Sequence, residues 1–347
     1  MPLELLISLA ALSFVISVVM TGGLRKVGHK LARLDHPNER SLHDTPTPRT
    51  GGLAVLAATT TLGGAVALHT GAAAEWAWIA AGAFLVAAVS FVDDRIEVSP
   101  AVRLLVHLTA SALVCLGIVR LGGSVLAPVP DVLVLVATVL GLTWATNLFN
   151  FMDGLDGFAG GMTAIGFGAY GWMAWDAGAL TVAGVCIVIA AAACGFLVFN
   201  KPVAQIFMGD AGASTLGFLA GSIGLLGARD GVWPWQAAAL IFSPFLVDSS
   251  VTLARRLARG EKVWLPHRTH YYQRLVRAGW SHRRTLAVEY LLMLSCAATA
   301  IAAVERGWPW NPVLASWSAG YVACICGVRA VESRHAAPPR ALHTSCR

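Results

Sequence analysis

The chain has 347 residues, of which 56% are hydrophobic and 13% are Asp, Glu, Lys or Arg. An ordinary soluble domain carries about 25% charged residues. This composition therefore excludes a cytosolic enzyme, a disordered chain and a nucleic-acid-binding protein, although the formal net charge is +6. The mean hydropathy of +0.67 indicates a protein that crosses a membrane several times.

Apolar segments long enough to cross a bilayer recur along the whole sequence. Because a membrane-spanning helix needs about 20 mostly apolar residues, we predict an all-α polytopic membrane protein with about eleven transmembrane helices. The predicted spans are 3–22, 52–69, 77–92, 101–121, 131–149, 160–175, 179–199, 211–228, 235–253, 285–304 and 310–330. We interpret the first span as a retained helix and not as a signal peptide, because it lacks a preceding basic residue and a small-residue cleavage site.

The predicted spans form one integral-membrane domain over residues 1–330, followed by a disordered cytoplasmic tail over 331–347. Alternate loops differ strongly in basic residues: 22 of the 25 Lys and Arg residues fall on one side. Positive charge marks the cytoplasmic side of a membrane protein, which predicts a cytoplasmic-face active site. Basic loops on that face also attract anionic lipid headgroups and phosphorylated substrates. The candidate catalytic loops on this side are 23–51, 93–100, 147–159, 200–214 and 254–284.

Five aspartates lie at the ends of apolar spans. Asp93 and Asp94 close the third span, Asp153 and Asp156 follow the fifth, and Asp210 precedes the eighth. One isolated aspartate would only mark a helix end, but all five fall on the same predicted face. Carboxylates beside the hydrocarbon region are costly and indicate function. Together with a phosphate they are the ligands that a hard cation such as Mg²⁺ prefers.

The segment around the fifth span repeats polar residues at a spacing of three. Asn147, Asn150, Asp153 and Asp156 follow this spacing, so their side chains meet in succession if the segment is helical. The glycines between residues 154 and 161 either let the backbone turn sharply beside a ligand or allow tight helix packing.

Histidine and arginine residues in two loops are further candidates. His267 and His270 are three residues apart, which fits one helix face. A zinc site, phosphate binding, proton handling and a solvated structural pair all remain open for them. Arg40, His43 and Arg49 form a similar basic group in the first loop. These residues either face a diphosphate or lie at the lipid surface.

Taken in order, five segments resemble the polyprenyl-phosphate N-acetylhexosamine-1-phosphate transferase family, a glycosyltransferase-4-like group. They span roughly residues 35–275. The segments are DHPNERSLHDTPTPRTGG, FVDDRIEVSPAVRL, NLFNFMDGLDGFAGG, FNKPVAQIFMGDAGASTLG and PHRTHYYQRL. One such motif is weak evidence, whereas five in the same order are strong evidence.

The resemblance implies the reaction and its participants. A polyprenyl phosphate such as undecaprenyl phosphate attacks the β-phosphate of a UDP-N-acetylhexosamine, releasing UMP and starting a cell-surface polysaccharide. Mg²⁺ is the implied cofactor, with Mn²⁺ as a substitute, and Asp210 and Asp153 are the implied metal ligands. The implied partners are the two substrates and membrane lipids, with no nucleic acid; a homodimer is an open alternative.

The resemblance also assigns roles residue by residue. Asp93 and Asp94 are expected to serve the lipid phosphate, His267 and His270 the sugar diphosphate, and Phe207 to stack on uracil. The implied catalytic residues are Asp93, Asp94, Asp153, Asp156, His267 and His270. The implied substrate-binding residues are Arg40, His43, Arg49, Asn147, Asn150, Asn200, Phe207 and Arg268.

Some positions depart from the family pattern. Ala213 occupies a position where serine is usual, and Arg103 and His107 replace a lysine and a glutamine. None of these changes removes a carboxylate. Because a phosphate monoester has a second pKa of about 6, we expect direct attack by the lipid phosphate; a two-step route through an aspartyl phosphate is the competing mechanism.

Alternative functions follow from the same motifs. The HRTHYYQ segment favours the branch that starts O-antigen-type polysaccharides over the peptidoglycan-precursor translocase, and 6-deoxy sugars such as FucNAc or QuiNAc are candidate donors. An intramembrane prenyltransferase would use aspartate-rich motifs but gives no role to FMGD or HRTH. A transporter would need ionisable residues near mid-bilayer, whereas these acids lie at one face.

Overall fold

The computed structural model describes residues 2–31, 34–35, 46–120, 131–265 and 267–336. Helices dominate these ranges, joined by one short pair of strands. The helices are α1 (Leu3–Leu31), α2 (Gly51–Ala58), α3 (Gly64–His69), α4 (Ala73–Asp93), α5 (Pro100–Arg120), α6 (Asp131–Met152), α7 (Phe158–Asp176), α8 (Leu180–Asn200), α9 (Gly209–Arg229), α10 (Trp235–Ile241), α11 (Ser243–Ala258), α12 (Tyr271–Arg277), α13 (His282–Glu305) and α14 (Trp310–Ala336). A π-helical turn, Thr59–Gly63, joins α2 and α3 into one continuous rod.

The prediction of an all-α polytopic membrane protein is confirmed. Within the described ranges, nine helices are long and apolar enough to cross a bilayer, and a bent pair makes a tenth. A helix is present at each of the eleven predicted positions. The predicted span 160–175 corresponds to α7, which is not among these membrane-crossing helices. It is rich in glycine, and most of its residues are buried in the interior of the bundle.

The predicted span 235–253 is not a single straight helix. Its two parts, α10 and α11, meet at an angle of 76°. Pro244 stands in the first turn of α11, where its missing N–H costs no helical hydrogen bond. The chain therefore turns at Phe242, and α11 leaves the bundle in a new direction.

The centre of the bundle is formed by α7, α8 and α9, whose buried faces consist mainly of Ala, Gly, Val and Phe. Small residues let helix backbones approach closely within a membrane. Helix α1 packs against α8 through Ser13 and Ser17, whose hydroxyls donate to the carbonyls of Val188 and Ala192, each at 2.7 Å. These buried hydroxyls fix the position of α1 on the core.

A short β-ribbon precedes α2. Strands β1 (Leu34–Asp35) and β2 (Thr47–Pro48) are antiparallel, with Leu34 opposite Pro48. The chain then runs beside the loop before α9: Phe207 N–H donates to Pro48 O at 2.8 Å, and Gly52 N–H donates to Met208 O at 2.8 Å. This backbone ladder brings the first loop to the N-terminus of α9.

The last helix extends beyond the predicted boundary of the membrane domain. Helix α14 continues to Ala336, six residues into the segment 331–347 for which disorder was predicted. Residues 337–347 lie outside the described part of the chain.

Candidate active site

Four aspartates from three helix ends come together at one end of the bundle. Asp93 is the last residue of α4 and Asp94 follows it, Asp153 comes directly after α6, and Asp210 lies in the first turn of α9. The charges of Asp94 and Asp210 act on Asp153. We call Asp93, Asp94, Asp153 and Asp210 the carboxylate cluster; the sequence predicted that all four belong to one site.

Asp94 holds the start of α9. Its carboxylate accepts the backbone N–H groups of Asp210 and Ala211, each at 3.1 Å. A side chain on Gly209, which has a φ of +77°, would collide with Arg49 O and come within 3.1 Å of Asp94 Oδ2. Asp94 is 8% exposed, and burial together with the charge of Asp210 raises its pKa to about 7.

Asp93 has different partners. It accepts the Val98 N–H at 2.8 Å and forms an ion pair with Arg103. The same guanidinium group lies 3.7 Å from Asp210 Oδ2. Arg103 therefore links the end of α4 to the start of α9, and it supplies positive charge between two carboxylates.

Asn150 and Arg49 complete the surroundings of Asp210. The side chain of Asn150 hydrogen-bonds to the Asp210 carboxylate. Burial lowers the pKa of Arg49, but the charges of Asp35, Asp210 and Asp94 raise it by more. Burial and the charge of Asp210 raise the pKa of Asp153 well above its usual range. The site is thus rich in negative charge that its arginines only partly compensate.

The segment Asn147 to Asp156 is not one continuous helix, so the condition for its side chains to meet in succession is not fulfilled. Helix α6 ends at Met152, so Asp153 and Asp156 lie in the following turn. Asn147 points back along its own helix and donates to Thr143 O at 2.7 Å. The predicted row of contacts therefore breaks, because the chain leaves α6 between Asn150 and Asp153.

Asn200 and Asp156 tie two loops together. Asn200 accepts the Gly157 N–H at 2.9 Å and donates to Ile206 O at 2.9 Å, and it is 5% exposed. Asp156 accepts the Ala204 N–H at 2.9 Å. In the structure these two predicted site residues position the loop that carries Phe207.

The two candidate histidines are adjacent. Their ring centroids lie 4.7 Å apart. His270 is buried with Nδ1 at 3.2 Å from Asp248 Oδ1, and His267 Nδ1 lies 3.0 Å from Thr269 Oγ1. Burial, followed by the charges of His270 and Arg256, lowers the pKa of His267 to about 4.

The loop of the histidines lies against the carboxylate cluster. A side chain on Gly154 would collide with the Tyr272 hydroxyl, so α12 packs on the turn that follows Asp153. Arg268 lies between the histidines, and its carbonyl accepts from Arg277 Nη1 at 3.4 Å. Arg40 and His43 lie outside the described residues.

Asp248 is a site residue that the sequence analysis missed. Besides meeting His270, its carboxylate accepts Tyr271 N–H at 2.9 Å, Tyr272 N–H at 3.3 Å and the Thr252 hydroxyl at 3.0 Å. It therefore caps α12 and orients the imidazole. A lone acid in the predicted ninth span was the available signal, because ionisable residues within spans are rare and usually functional.

A groove of about 850 Å³ leads from the bundle surface to the carboxylate cluster. Its walls come from α5, α6 and α11 and are mostly apolar, and its polar end carries Arg103, Asn150 and Asp210. Residues on its rim are open to the surroundings: Leu104 is 48% exposed and Leu257 68%. A long apolar ligand can enter this groove from the side.

The carboxylate cluster supplies hard oxygen donors, which are the ligands that Mg²⁺ prefers. Within the described ranges, no three His, Cys, Asp or Glu side chains converge as a preformed metal site, so a bound ion would need further oxygens from substrate or water. Mg²⁺ commonly uses only one or two carboxylates together with substrate phosphates and water. Asp153 and Asp210 interact electrostatically, and a cation beside them would relieve their repulsion.

Comparison with known proteins agrees with this geometry. The profile of glycosyl transferase family 4 matches residues 76–228. The chain is 28% identical over 291 residues to the "probable undecaprenyl-phosphate N-acetylglucosaminyl 1-phosphate transferase" of Bacillus subtilis (strain 168), with 81% of each chain covered.

Two further relatives have a slightly higher sequence identity to this chain than the Bacillus subtilis protein. The "undecaprenyl-phosphate alpha-N-acetylglucosaminyl 1-phosphate transferase" of Yersinia pestis is 30% identical over 304 residues, with 81% of each chain covered. The "decaprenyl-phosphate N-acetylglucosaminephosphotransferase" of Mycobacterium tuberculosis (strain CDC 1551 / Oshkosh) is 31% identical over 332 residues, covering 84% of this chain and 80% of the relative. The chain therefore belongs to glycosyl transferase family 4, the polyprenyl-phosphate N-acetylhexosamine-1-phosphate transferases.

Proposed function

We propose that the protein transfers an N-acetylhexosamine 1-phosphate from a UDP-sugar to a polyprenyl phosphate, releasing UMP. The observation that carries this proposal is the apolar groove that ends at Arg103, Asn150 and Asp210. A polyprenyl phosphate has the matching chemistry, an apolar chain with one anionic end. The product, a polyprenyl diphosphate-linked sugar, would begin the synthesis of a cell-surface polysaccharide such as an O-antigen.

Arg103 and Asp93 are the residues that we assign to the acceptor phosphate. Arg103 lies both at the polar end of the groove and beside Asp93. A guanidinium group binds phosphate oxygens through a planar pair of N–H donors. Asp93, already paired with that arginine, would orient the phosphate or accept a residual proton.

We assign the donor to the other side of the cluster, where α12 meets the turn after Asp153. Phe207 is half-buried in the backbone ladder beside the first loop and offers a ring on which uracil can stack. The names of three relatives specify N-acetylglucosamine as the sugar of those proteins. This supports UDP-N-acetylglucosamine as the first donor to test, with 6-deoxy N-acetylhexosamines as alternatives.

Asp210 and Asp153 are the residues that we expect to hold Mg²⁺. When bound, the ion would neutralise phosphate oxygens and lower the repulsion between the two anionic substrates. The chain's own contribution is to keep Asp210 in place through Asp94 at the start of α9 and through Asn150. Asp94 is thus a positioning residue in this proposal.

Direct attack by the lipid phosphate is the mechanism that these contacts favour. The acceptor phosphate, mostly ionised because its second pKa is about 6, would form a P–O bond to the sugar-bearing β-phosphorus while the bond to the UMP oxygen breaks. An aspartyl phosphate would require a free carboxylate nucleophile. Asp93 is instead paired with Arg103 and the Val98 N–H.

We propose further that the carboxylate cluster faces the cytoplasm across the bacterial inner membrane. Of the 25 Lys and Arg residues, 22 fall on the same predicted side as the cluster, and positive charge marks the cytoplasmic side. An Arg95→Cys variant lacking the seven native cysteines would check this orientation. We expect a membrane-impermeant thiol reagent to label it only after the cells are permeabilised, and labelling in intact cells would contradict the proposal.

A donor panel tests the proposed reaction. Purified protein in nanodiscs with polyprenyl phosphate and Mg²⁺ is given UDP-N-acetylglucosamine, UDP-FucNAc or UDP-QuiNAc, and the lipid products are identified by mass spectrometry. We expect one polyprenyl diphosphate-sugar and stoichiometric UMP. Exchange of labelled UMP into the UDP-sugar without any lipid would contradict direct attack, and a sugar transferred without its phosphate would contradict the reaction type.

A further inference from the structure

Besides the apolar groove, the structure has a smaller, polar cavity, which lies on the opposite side of α11. It has a volume of about 230 Å³ and lies between α11, α12 and the end of α14. Its charged lining residues are Arg255, Arg256, Arg259, Arg274, Arg277 and Glu332. We call this cavity the arginine pocket.

The two cavities use opposite faces of the same helix. Residues 250, 253, 254 and 257 line the groove, whereas 252, 255, 256 and 259 line the arginine pocket. With 3.6 residues per turn, these two sets point in opposite directions. The arginine pocket is therefore separate from the proposed acceptor site.

Three of its arginines have acidic partners, and the weakest of these contacts places Arg259 Nη1 3.9 Å from Glu261 Oε1. Arg256 donates to Glu261 Oε2 at 2.8 Å and to the carbonyls of Lys262 and Leu265 at 3.0 and 3.2 Å. Arg274 forms a two-point ion pair with Glu332, at 2.7 and 2.5 Å. These contacts hold the walls of the pocket in place, and they pair the carboxylates of Glu261 and Glu332 with arginines.

Positive charge remains after these pairs are formed. Arg274 Nη1 is buried and has no hydrogen-bond partner among the described residues. Arg255 meets the Tyr271 hydroxyl at 3.0 Å and Arg277 the Arg268 carbonyl at 3.4 Å, and both partners are neutral. A buried guanidinium N–H without an acceptor is costly, so the pocket is complementary to an anion.

We propose that the arginine pocket binds one phosphate group. Arginine is suited to phosphate because its planar N–H donors bind two oxygens at once, and five of the eight residues that line the pocket are arginines. The volume lies below the roughly 300–1,000 Å³ of pockets for larger organic ligands, which favours a phosphate headgroup over a nucleotide sugar. The phosphate comes either from an anionic phospholipid or from free phosphate in solution.

Native mass spectrometry of the full-length protein in detergent tests this proposal. The protein is titrated with phosphatidylglycerol in one arm and with inorganic phosphate in the other. We expect one saturable adduct with one of the two probes, which identifies the source. The double variant Arg255→Gln/Arg277→Gln should weaken it about tenfold or more, because two charge-assisted hydrogen bonds are lost.

The matched control is Arg283→Gln/Arg284→Gln, which removes the same charge from two exposed arginines of α13; it should bind as the unchanged protein does. Should the first double variant not fold, the exposed Arg259→Gln should still weaken the adduct. Equal weakening in variant and control, or no saturable adduct with either probe, would overturn the proposal. Displacement of the adduct by UMP would also overturn it, since the pocket would then belong to the donor site.

Discussion

The carboxylate of Asp94 accepts the backbone N–H of Asp210 at 3.1 Å. Asp94, which follows α4, thus holds the first turn of α9, the helix that carries the proposed metal ligand Asp210. The N-terminus of a helix is the favourable end for a negative charge. Asp94 therefore contributes to the site by fixing the backbone position of Asp210.

Replacing Asp94 by alanine should displace Asp210. The Asp94→Ala variant leaves two buried N–H groups without an acceptor, and loss of a helix-capping acceptor costs about 0.5–2 kcal/mol. We expect a lower melting temperature and a higher Mg²⁺ concentration for half-maximal activity. Asp94→Asn, which keeps one acceptor oxygen, should be intermediate. Unchanged Mg²⁺ dependence in Asp94→Ala would contradict the positioning role.

Replacing Asp210 should separate activity from stability. Asp210→Asn should lower turnover at least about 1,000-fold, equivalent to about 4 kcal/mol of the barrier, because a proposed Mg²⁺ ligand is lost. Its melting temperature should stay the same or rise, because one like charge leaves the carboxylate cluster. Asp176→Asn, at the exposed far end of α7, is the matched control and should change neither. Near-normal turnover in Asp210→Asn would refute its assignment.

Mg²⁺ binding should compete with protons. Burial and the charge of Asp210 raise the pKa of Asp94 to about 7, and Asp153 is shifted in the same direction. Without metal, the two carboxyl groups keep their protons in the folded protein up to about pH 7, whereas in the unfolded chain they lose them near pH 4. Their contribution to the free energy of unfolding therefore falls as the pH rises from 4 to 7. The increase in melting temperature caused by Mg²⁺ should therefore grow between pH 6 and pH 8.

Proton release gives an independent measurement of the same competition. Adding Mg²⁺ at pH 6.5 in a weakly buffered solution should acidify it, and the effect should be smaller at pH 8.5. The Asp210→Asn variant is the control, since it should release few protons. A Mg²⁺ effect that is flat across this pH range would argue against a metal site at these carboxylates.

His267 should be neutral during catalysis. Its pKa is lowered to about 4 by burial and by the charges of His270 and Arg256, below the unfolded value of about 6.5. Its contribution to stability is therefore present above pH 6.5 and is lost as the pH falls toward 4. His267→Gln should reduce the drop in melting temperature between pH 7 and pH 4.5. An identical drop in both proteins would show that His267 is not the group responsible.

Asp248 should affect the donor more than the acceptor. Asp248→Asn weakens the cap of α12 and releases the constraint on His270, while the apolar groove keeps its walls. We expect the KM for the UDP-sugar to rise about tenfold, as for loss of a buried charge-assisted hydrogen bond, with little change in the KM for the lipid. Steady-state kinetics with each substrate varied in turn measure both values. A selective rise in the lipid KM would contradict this role.

The sequence identified the helices and the acids because both signals are local. Hydropathy located a helix at all eleven predicted positions, and the placement of aspartates at span ends indicated one face. The bend at Phe242 was not predictable, since the segment is apolar on both sides of it. The buried position of α7 was not predictable either, because only its neighbours decide whether a glycine-rich helix faces lipid.

The roles of individual polar residues depend on contacts between distant parts of the chain. Asp94 meets the amide of a residue 116 positions away, and Asn200 bonds to a loop 43 positions earlier. Spacing within one motif contains no information on such partners. Arg103 was noted only as a substitution in its motif, yet it joins Asp93 to Asp210.

The central claim is that the apolar groove presents a lipid phosphate to the carboxylate cluster. The most direct test is release of UMP from UDP-N-acetylglucosamine by the purified protein in nanodiscs with Mg²⁺, with and without polyprenyl phosphate. We predict that UMP appears only with the lipid and that the sugar phosphate is recovered in the lipid fraction. UMP released at the same rate without polyprenyl phosphate, or label that stays in the aqueous fraction, would contradict the account.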